Sequence, residues 1–121
     1  MPFKDILREL VEITPGASGA ILTDWEGEAV VHYCCSHTDE YDLKLIGAHK
    51  GIILNRIKDA QERLRHGDAQ EAVITTEFQH FIIGAIGADY TLIVMLERDS
   101  LLARAQYSFQ RAVKLLAKEI Y

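Results

Sequence analysis

Cysteine and proline are scarce, at two residues each in 121. The cysteines are adjacent, Cys34 and Cys35. They make neither the spaced pair of a redox CxxC motif nor a disulfide framework, so reduced thiols are expected. Long apolar runs are missing as well. Phe81 to Ile86 and Leu92 to Leu96 fall far short of the roughly 20 residues that cross a bilayer as a helix. Basic residues are too few and too scattered for a nucleic-acid patch, with 13 Lys plus Arg against 18 Asp plus Glu and a net charge of -5, whereas phosphate backbones demand concentrated positive charge. Neither GxxxxGK followed by Ser or Thr nor GxGxxG occurs, so the chain is not expected to hydrolyse a nucleotide itself. Met1 to Asp5 carries an acid early and lacks the apolar core of a secretory signal, and a cytoplasmic location is expected.

What is present is an ordinary globular composition, 49% apolar and 26% charged. A chain of this size buries roughly two thirds of the surface its unfolded form exposes, enough for one core without staples. Residues 1–121 are therefore read as a single domain.

Phe3, Ile6, Leu7, Leu10 and Val11 recur at helical spacing, opposite Lys4, Asp5, Arg8, Glu9 and Glu12, which predicts a short amphipathic helix. Thr14-Pro15-Gly16 ends it. Ala17 to Thr23 and Glu28 to Cys34 are rich in small and β-branched residues and flank Asp24-Trp25-Glu26-Gly27, the pattern of a hairpin. From about Asp39 to His66 the chain has no proline and reads as a helix of seven turns. Its apolar residues Leu43, Ile46, Ile53, Ile57, Ala60 and Leu64, widened by Leu45, Ile52 and Leu54, span an arc too broad for one sheet face to cover. Lys44, Asn55, Lys58, Glu62 and Arg65 form the polar stripe, interrupted by Gly47 and Gly51, which permit close approach of another backbone. His66-Gly67-Asp68 ends this helix. Ala72 to Thr76, Phe78 to Ile86 and Tyr90 to Leu96 then read as strands whose short links imply antiparallel neighbours. The apolar spacing from Ser100 to Ile120 predicts a closing helix with Asp99 or Ser100 as N-cap.

The fold class is therefore α/β, a single-domain α/β/α sandwich in the order α-β-β-α-β-β-β-α with a five-stranded, mostly antiparallel sheet.

Chemistry-bearing clusters are few. His32, Cys34, Cys35 and His37 fall within six residues and are of types that suit zinc. A strand, however, puts His32 and Cys34 on one face and Cys35 on the other, so no metal site is expected. A cysteine nucleophile would need a histidine within hydrogen-bond reach, and His49, His66 and His80 are scattered. Arg56, Arg63 and Arg65 could supply an inserted arginine to a phosphoryl-transfer site, but a solvated helix flank is the favoured reading of each. Trp25, the only tryptophan, falls in the first hairpin turn, either folded over a helix or standing as a contact point. No catalytic residue and no cofactor are expected.

The element order and three segments resemble the Roadblock family, the dynein light chain Roadblock type. The segments are Pro15-Gly16-Ala17-Ser18-Gly19 running through Ile21-Leu22-Thr23-Asp24 to Gly27, then Phe81-Ile82-Ile83-Gly84-Ala85-Ile86-Gly87, then Tyr90-Thr91-Leu92-Ile93-Val94-Met95-Leu96. The resemblance spans nearly the whole chain, and its motifs are structural. It implies a noncatalytic scaffold or regulator of small Ras-like GTPases. It also implies a homodimer or heterodimer in which the third strands pair across a two-fold axis with the long helices side by side. On that basis Leu43, Ile46, Ile53, Ile57, Val73 and Ile74 are the expected dimer contacts, and Lys44, Asn55, Lys58, Glu62 and Arg65 the expected GTPase contacts. The residues support the dimer independently. A strand bearing Val73 and Ile74 at a sheet edge invites association unless paired, and the broad helix arc needs a second cover. The same layering resembles profilin-like sensory modules, so a small-molecule sensor is the alternative, distinguished by an apolar pocket with convergent polar groups; a purely structural dimer adaptor is the third reading.

Overall fold

The computed structural model describes residues 2–35, 46–47, 56, 59 and 70–121. Among the described residues the elements follow in the order α1 (Pro2–Ile13), β1 (Ala17–Asp24), β2 (Ala29–Cys34), β3 (Glu71–Thr75), β4 (Gln79–Ile86), β5 (Tyr90–Glu97) and α2 (Leu102–Ile120). Between β2 and β3, Ile46, Gly47, Arg56 and Asp59 are helical, as the sequence predicts for 39–66. The remainder of that expected helix lies outside the described residues.

The strands form one sheet in the order β2-β1-β5-β4-β3, and every pairing is antiparallel. Hairpins account for β1–β2, β3–β4 and β4–β5. The sheet is joined into one piece by β1 on β5, with Ile21 opposite Ile93 and Leu22 opposite Leu92. That long-range pairing has no local signal in the chain.

Alternation along the strands sends apolar side chains to both faces. Leu22, Ile82, Leu92, Val94 and Leu96 pack with Leu7, Leu10 and Val11 of α1 and with Ala105, Phe109, Ala112 and Leu116 of α2. Ile21, Phe81, Ile83, Ile93 and Met95 form the core of the opposite face, where Ile46 joins them.

Two glycines set how closely the layers approach. Gly16, at φ 86, ends α1 in a conformation that L side chains rarely adopt. Its carbonyl accepts from the Glu97 N–H at 2.8 Å. Gly84 lies under the Phe109 ring, and a Cβ there would stand 2.5 Å from Phe109 Cε1 and 2.8 Å from Cζ. The absence of a side chain at 84 is what seats the largest fully buried residue of α2 on β4.

The closing helix differs from expectation at its start. Its N-cap is Leu101, without a side-chain cap, in place of Asp99 or Ser100. Ser100 is used elsewhere: its N–H bonds the Glu97 carbonyl at 3.1 Å, and its side chain packs where a Cβ on Gly16 would fall. Docking of the loop onto the α1–β1 corner takes the place of capping.

Replacing Gly84 with alanine should destabilise the fold by about 1–3 kcal/mol through overpacking against Phe109. Urea unfolding followed by circular dichroism measures it.

Candidate interaction surfaces

The outer edge of β3 is the first surface. Gln70 accepts from the Ala85 N–H at 2.9 Å, and the Thr76 N–H donates to Gln79 at 2.8 Å. The intervening register pairs Glu71 with Gly84, Val73 with Ile82 and Thr75 with His80. Hydrogen-bonded and non-hydrogen-bonded pairs alternate along an antiparallel ladder, so residues 70, 72, 74 and 76 bond β4. Glu71, Val73 and Thr75 therefore direct their N–H and C=O groups away from the sheet. Among the described residues no strand takes up that edge. Val73 packs with the core beneath α1 and α2, whereas Ala72 and Ile74 pack on the opposite face.

The other edge, β2, is protected. Its register against β1 shifts between Leu22 and Thr23, which pair with Val31 and Ala29 and leave Val30 as an extra residue. A bulge of this kind twists an edge and blunts its pairing. β2 is also tied to α1 by Tyr33, whose hydroxyl donates to Glu12 at 3.1 Å. This bond, with desolvation and the Glu12 charge, holds the Tyr33 phenol above its usual range.

The β3–β4 turn is held at fixed geometry. Thr76 Oγ1 accepts from the Phe78 and Gln79 N–H groups at 3.2 and 3.1 Å. His80, buried, spans two elements: Nε2 lies 2.9 Å from the Arg98 carbonyl and Nδ1 lies 2.8 Å from Thr75 Oγ1. A carbonyl only accepts, so Nε2 carries the proton, and in the neutral ring Thr75 donates to Nδ1. Phe78 at the tip is 77% exposed.

Of the expected dimer contacts, Val73 and Ile74 sit on this edge strand. Ile46 is half-buried against the second core face. Gly47 is buried beside it, and a Cβ there would lie 3.0 Å from Ile21 Cδ1 and 3.1 Å from Thr23 Cγ2. The close approach that Gly47 permits is thus to the sheet of the same chain. Leu43, Ile53, Ile57, Lys44, Asn55, Lys58, Glu62, Arg65, Arg63 and Gly51 lie outside the described residues. Arg56 is exposed. Trp25 stands 62% exposed in the β1–β2 turn.

Cys34 packs with the second core face, and neither Cys34 nor Cys35 is in a disulfide. Among the described residues no group of three or more His, Cys, Asp and Glu side chains converges, and His37 lies outside them. No described helix is long and apolar enough to cross a membrane.

One feature had no sequence signal. An open pocket of about 350 Å³ lies between α2 and the start of β3, lined by Gln70, Glu71, Gly84, Ala85, Phe109, Gln110, Val113 and Lys114. Glu71 accepts from the Gln106 amide at 3.3 Å. The pocket depends on a strand end, a strand interior and a helix meeting in space, which no local pattern records.

Truncating His80 to alanine should cost about 1–3 kcal/mol, because the Arg98 carbonyl and Thr75 hydroxyl lose their buried partner. Faster amide exchange at Phe78 and Gln79, read by NMR, would accompany the loss.

No family model matches the chain, and no curated protein matches it by sequence. Solved structures do. A Roadblock/LC7 domain from Streptomyces avermitilis superposes with a TM-score of 0.87 at 18% identity, covering 97% of this chain and 96% of that one. A structure described as MglB with tetrameric arrangement gives 0.86 at 19%, covering 97% and 86%. The gliding protein mglB from Thermus thermophilus gives 0.85 at 20%, covering 96% and 86%. With its sheet order, its helices and these likenesses over nearly its whole length, the chain has the Roadblock/LC7 fold.

Proposed function

We propose that the protein is a noncatalytic dimeric regulator or scaffold that binds a small Ras-like GTPase and modulates its nucleotide cycle or location. The observation that carries this reading is the regular, unbulged edge of β3, whose outward-facing backbone groups a second copy satisfies by antiparallel pairing. Two copies joined this way make one continuous sheet, and the helical residues Ile46 and Gly47 of both fall on a common face. On this reading Leu43, Ile53 and Ile57 complete the interface, and Lys44, Asn55, Lys58, Glu62 and Arg65 are the GTPase contacts. The shared fold supports the reading, since one structural neighbour is described as a gliding protein and another as tetrameric. The role is one of binding, with no catalytic residue and no cofactor assigned.

Val73→Pro tests the dimer selectively. Proline removes an N–H that faces away from β4 and so leaves the β3–β4 ladder its bonds. Light scattering at micromolar concentration should give a dimer for the wild type and a monomer for the variant, with the same far-ultraviolet circular dichroism. A monomeric wild type would contradict the interface. Capture from native lysate in GDP and in a nonhydrolysable GTP analogue should then enrich a small GTPase in one nucleotide state. Equal recovery of partners in both states would favour the structural adaptor instead.

A further inference from the structure

We infer that the pocket between α2 and β3 is the receptor for the β3–β4 turn of a second copy, with Phe78 of each chain seated in the pocket of the other. The inference rests on the proposed pairing of β3 with its own copy and adds the register and the anchor of that contact.

The register follows from the edge. Only Glu71, Val73 and Thr75 offer outward backbone groups, and a five-residue strand pairs along its full length with its own copy when Val73 lies opposite Val73. Glu71 then faces Thr75 of the other copy, and Gln70 faces Thr76. The turn that follows, Glu77 and Phe78, is thereby carried past the first residue of β3. Its approach is along the side on which Gln70 and Glu71 line the pocket. Adjacent strands lie about 4.8 Å apart.

The faces agree. A two-fold axis perpendicular to the sheet keeps α1 and α2 of both copies on the same side. Glu71 and Val73 lie on the face of Ile82, beneath those helices, and the pocket opens on that side, against Phe109 and Val113 of α2.

Size and charge agree too. About 350 Å³ admits a phenyl ring, and the apolar lining is Gly84, Ala85, Phe109 and Val113. The exposed Glu77 precedes Phe78 and the exposed Lys114 stands at the pocket rim. Among the described residues neither has an ion-pair partner, and the insertion brings them together. Phe78 is also presented at fixed geometry by Thr76 and His80, which lowers the ordering cost of using it as an anchor. A solvent-exposed aromatic on a fixed turn and an open apolar pocket on the same chain thus fit in a closed, reciprocal contact.

Phe78→Ala should raise the dimer dissociation constant about tenfold or more, as loss of a buried aromatic anchor does. Sedimentation equilibrium reads the constant, and the thermal melt of the dilute chain should be unchanged, because Phe78 lies outside the monomer core. Independently, chains with Cys34 and Cys35 replaced by serine are prepared as Glu77→Cys and as Lys114→Cys and mixed with a short bismaleimide. A covalent dimer between the two variants is expected, and none when Arg104→Cys, toward the other end of α2, replaces the second. An unchanged constant for Phe78→Ala without cross-linking at 114, while Val73→Pro still separates the copies, would overturn the insertion and leave the edge pairing standing. Insensitivity to both Val73→Pro and Phe78→Ala would overturn the two together. Saturable binding of a small apolar acid to the pocket in the intact dimer would also overturn it.

Discussion

The constraint on which this molecule turns is the hydrogen-bonding demand of one strand edge. Glu71, Val73 and Thr75 face their backbone groups away from the sheet, on a strand of five residues with no bulge and no proline. Such an edge is a template for another strand. The opposite edge carries a bulge, and its Tyr33 is tied to Glu12 of α1. One edge of the sheet is thus bulged and the other regular, and the regular edge is where the proposed second copy attaches.

The rest of the fold holds that edge in position. Gly84 and Phe109 seat α2 against β4, His80 ties the β3–β4 hairpin to the chain after β5, and Gln106 reaches from α2 to Glu71 at the first residue of β3. An edge strand supported at its start, at its end and beneath its middle loses little entropy when it pairs, which favours specific association over slippage. The pocket beside Gln70 and Glu71 arises from the same arrangement, because α2 lies over β4 and leaves the flank of β3 uncovered.

Most of the architecture is legible in the sequence because its signals are local. Helical spacing in Phe3, Ile6, Leu7 and Leu10, alternation in β-branched runs, and Gly16 and Gly27 at positive φ give the elements and their turns to within a residue or two. The pairing of β1 with β5 has no such signal, since it joins residues as distant in the chain as Ile21 and Ile93. The expected N-cap fails because Ser100 is recruited to pack on Gly16, a tertiary contact that overrides a local preference. Val73 and Ile74 are legible as an edge, but which backbone groups face outward becomes visible only from the Gln70 and Thr76 hydrogen bonds. Sequence pattern makes Phe78 the first residue of a strand; the turn geometry that presents it depends on Thr76 and on His80 reaching Arg98.

Amide hydrogen exchange along β3, followed residue by residue as the protein is diluted, tests the edge pairing most directly. The N–H groups of Ala72 and Ile74, bonded to β4, should stay protected at every concentration, whereas those of Val73 and Thr75 should be protected in the dimer and lose protection on dilution. Fast exchange at Val73 and Thr75 at all concentrations would contradict the pairing of β3 with a second copy.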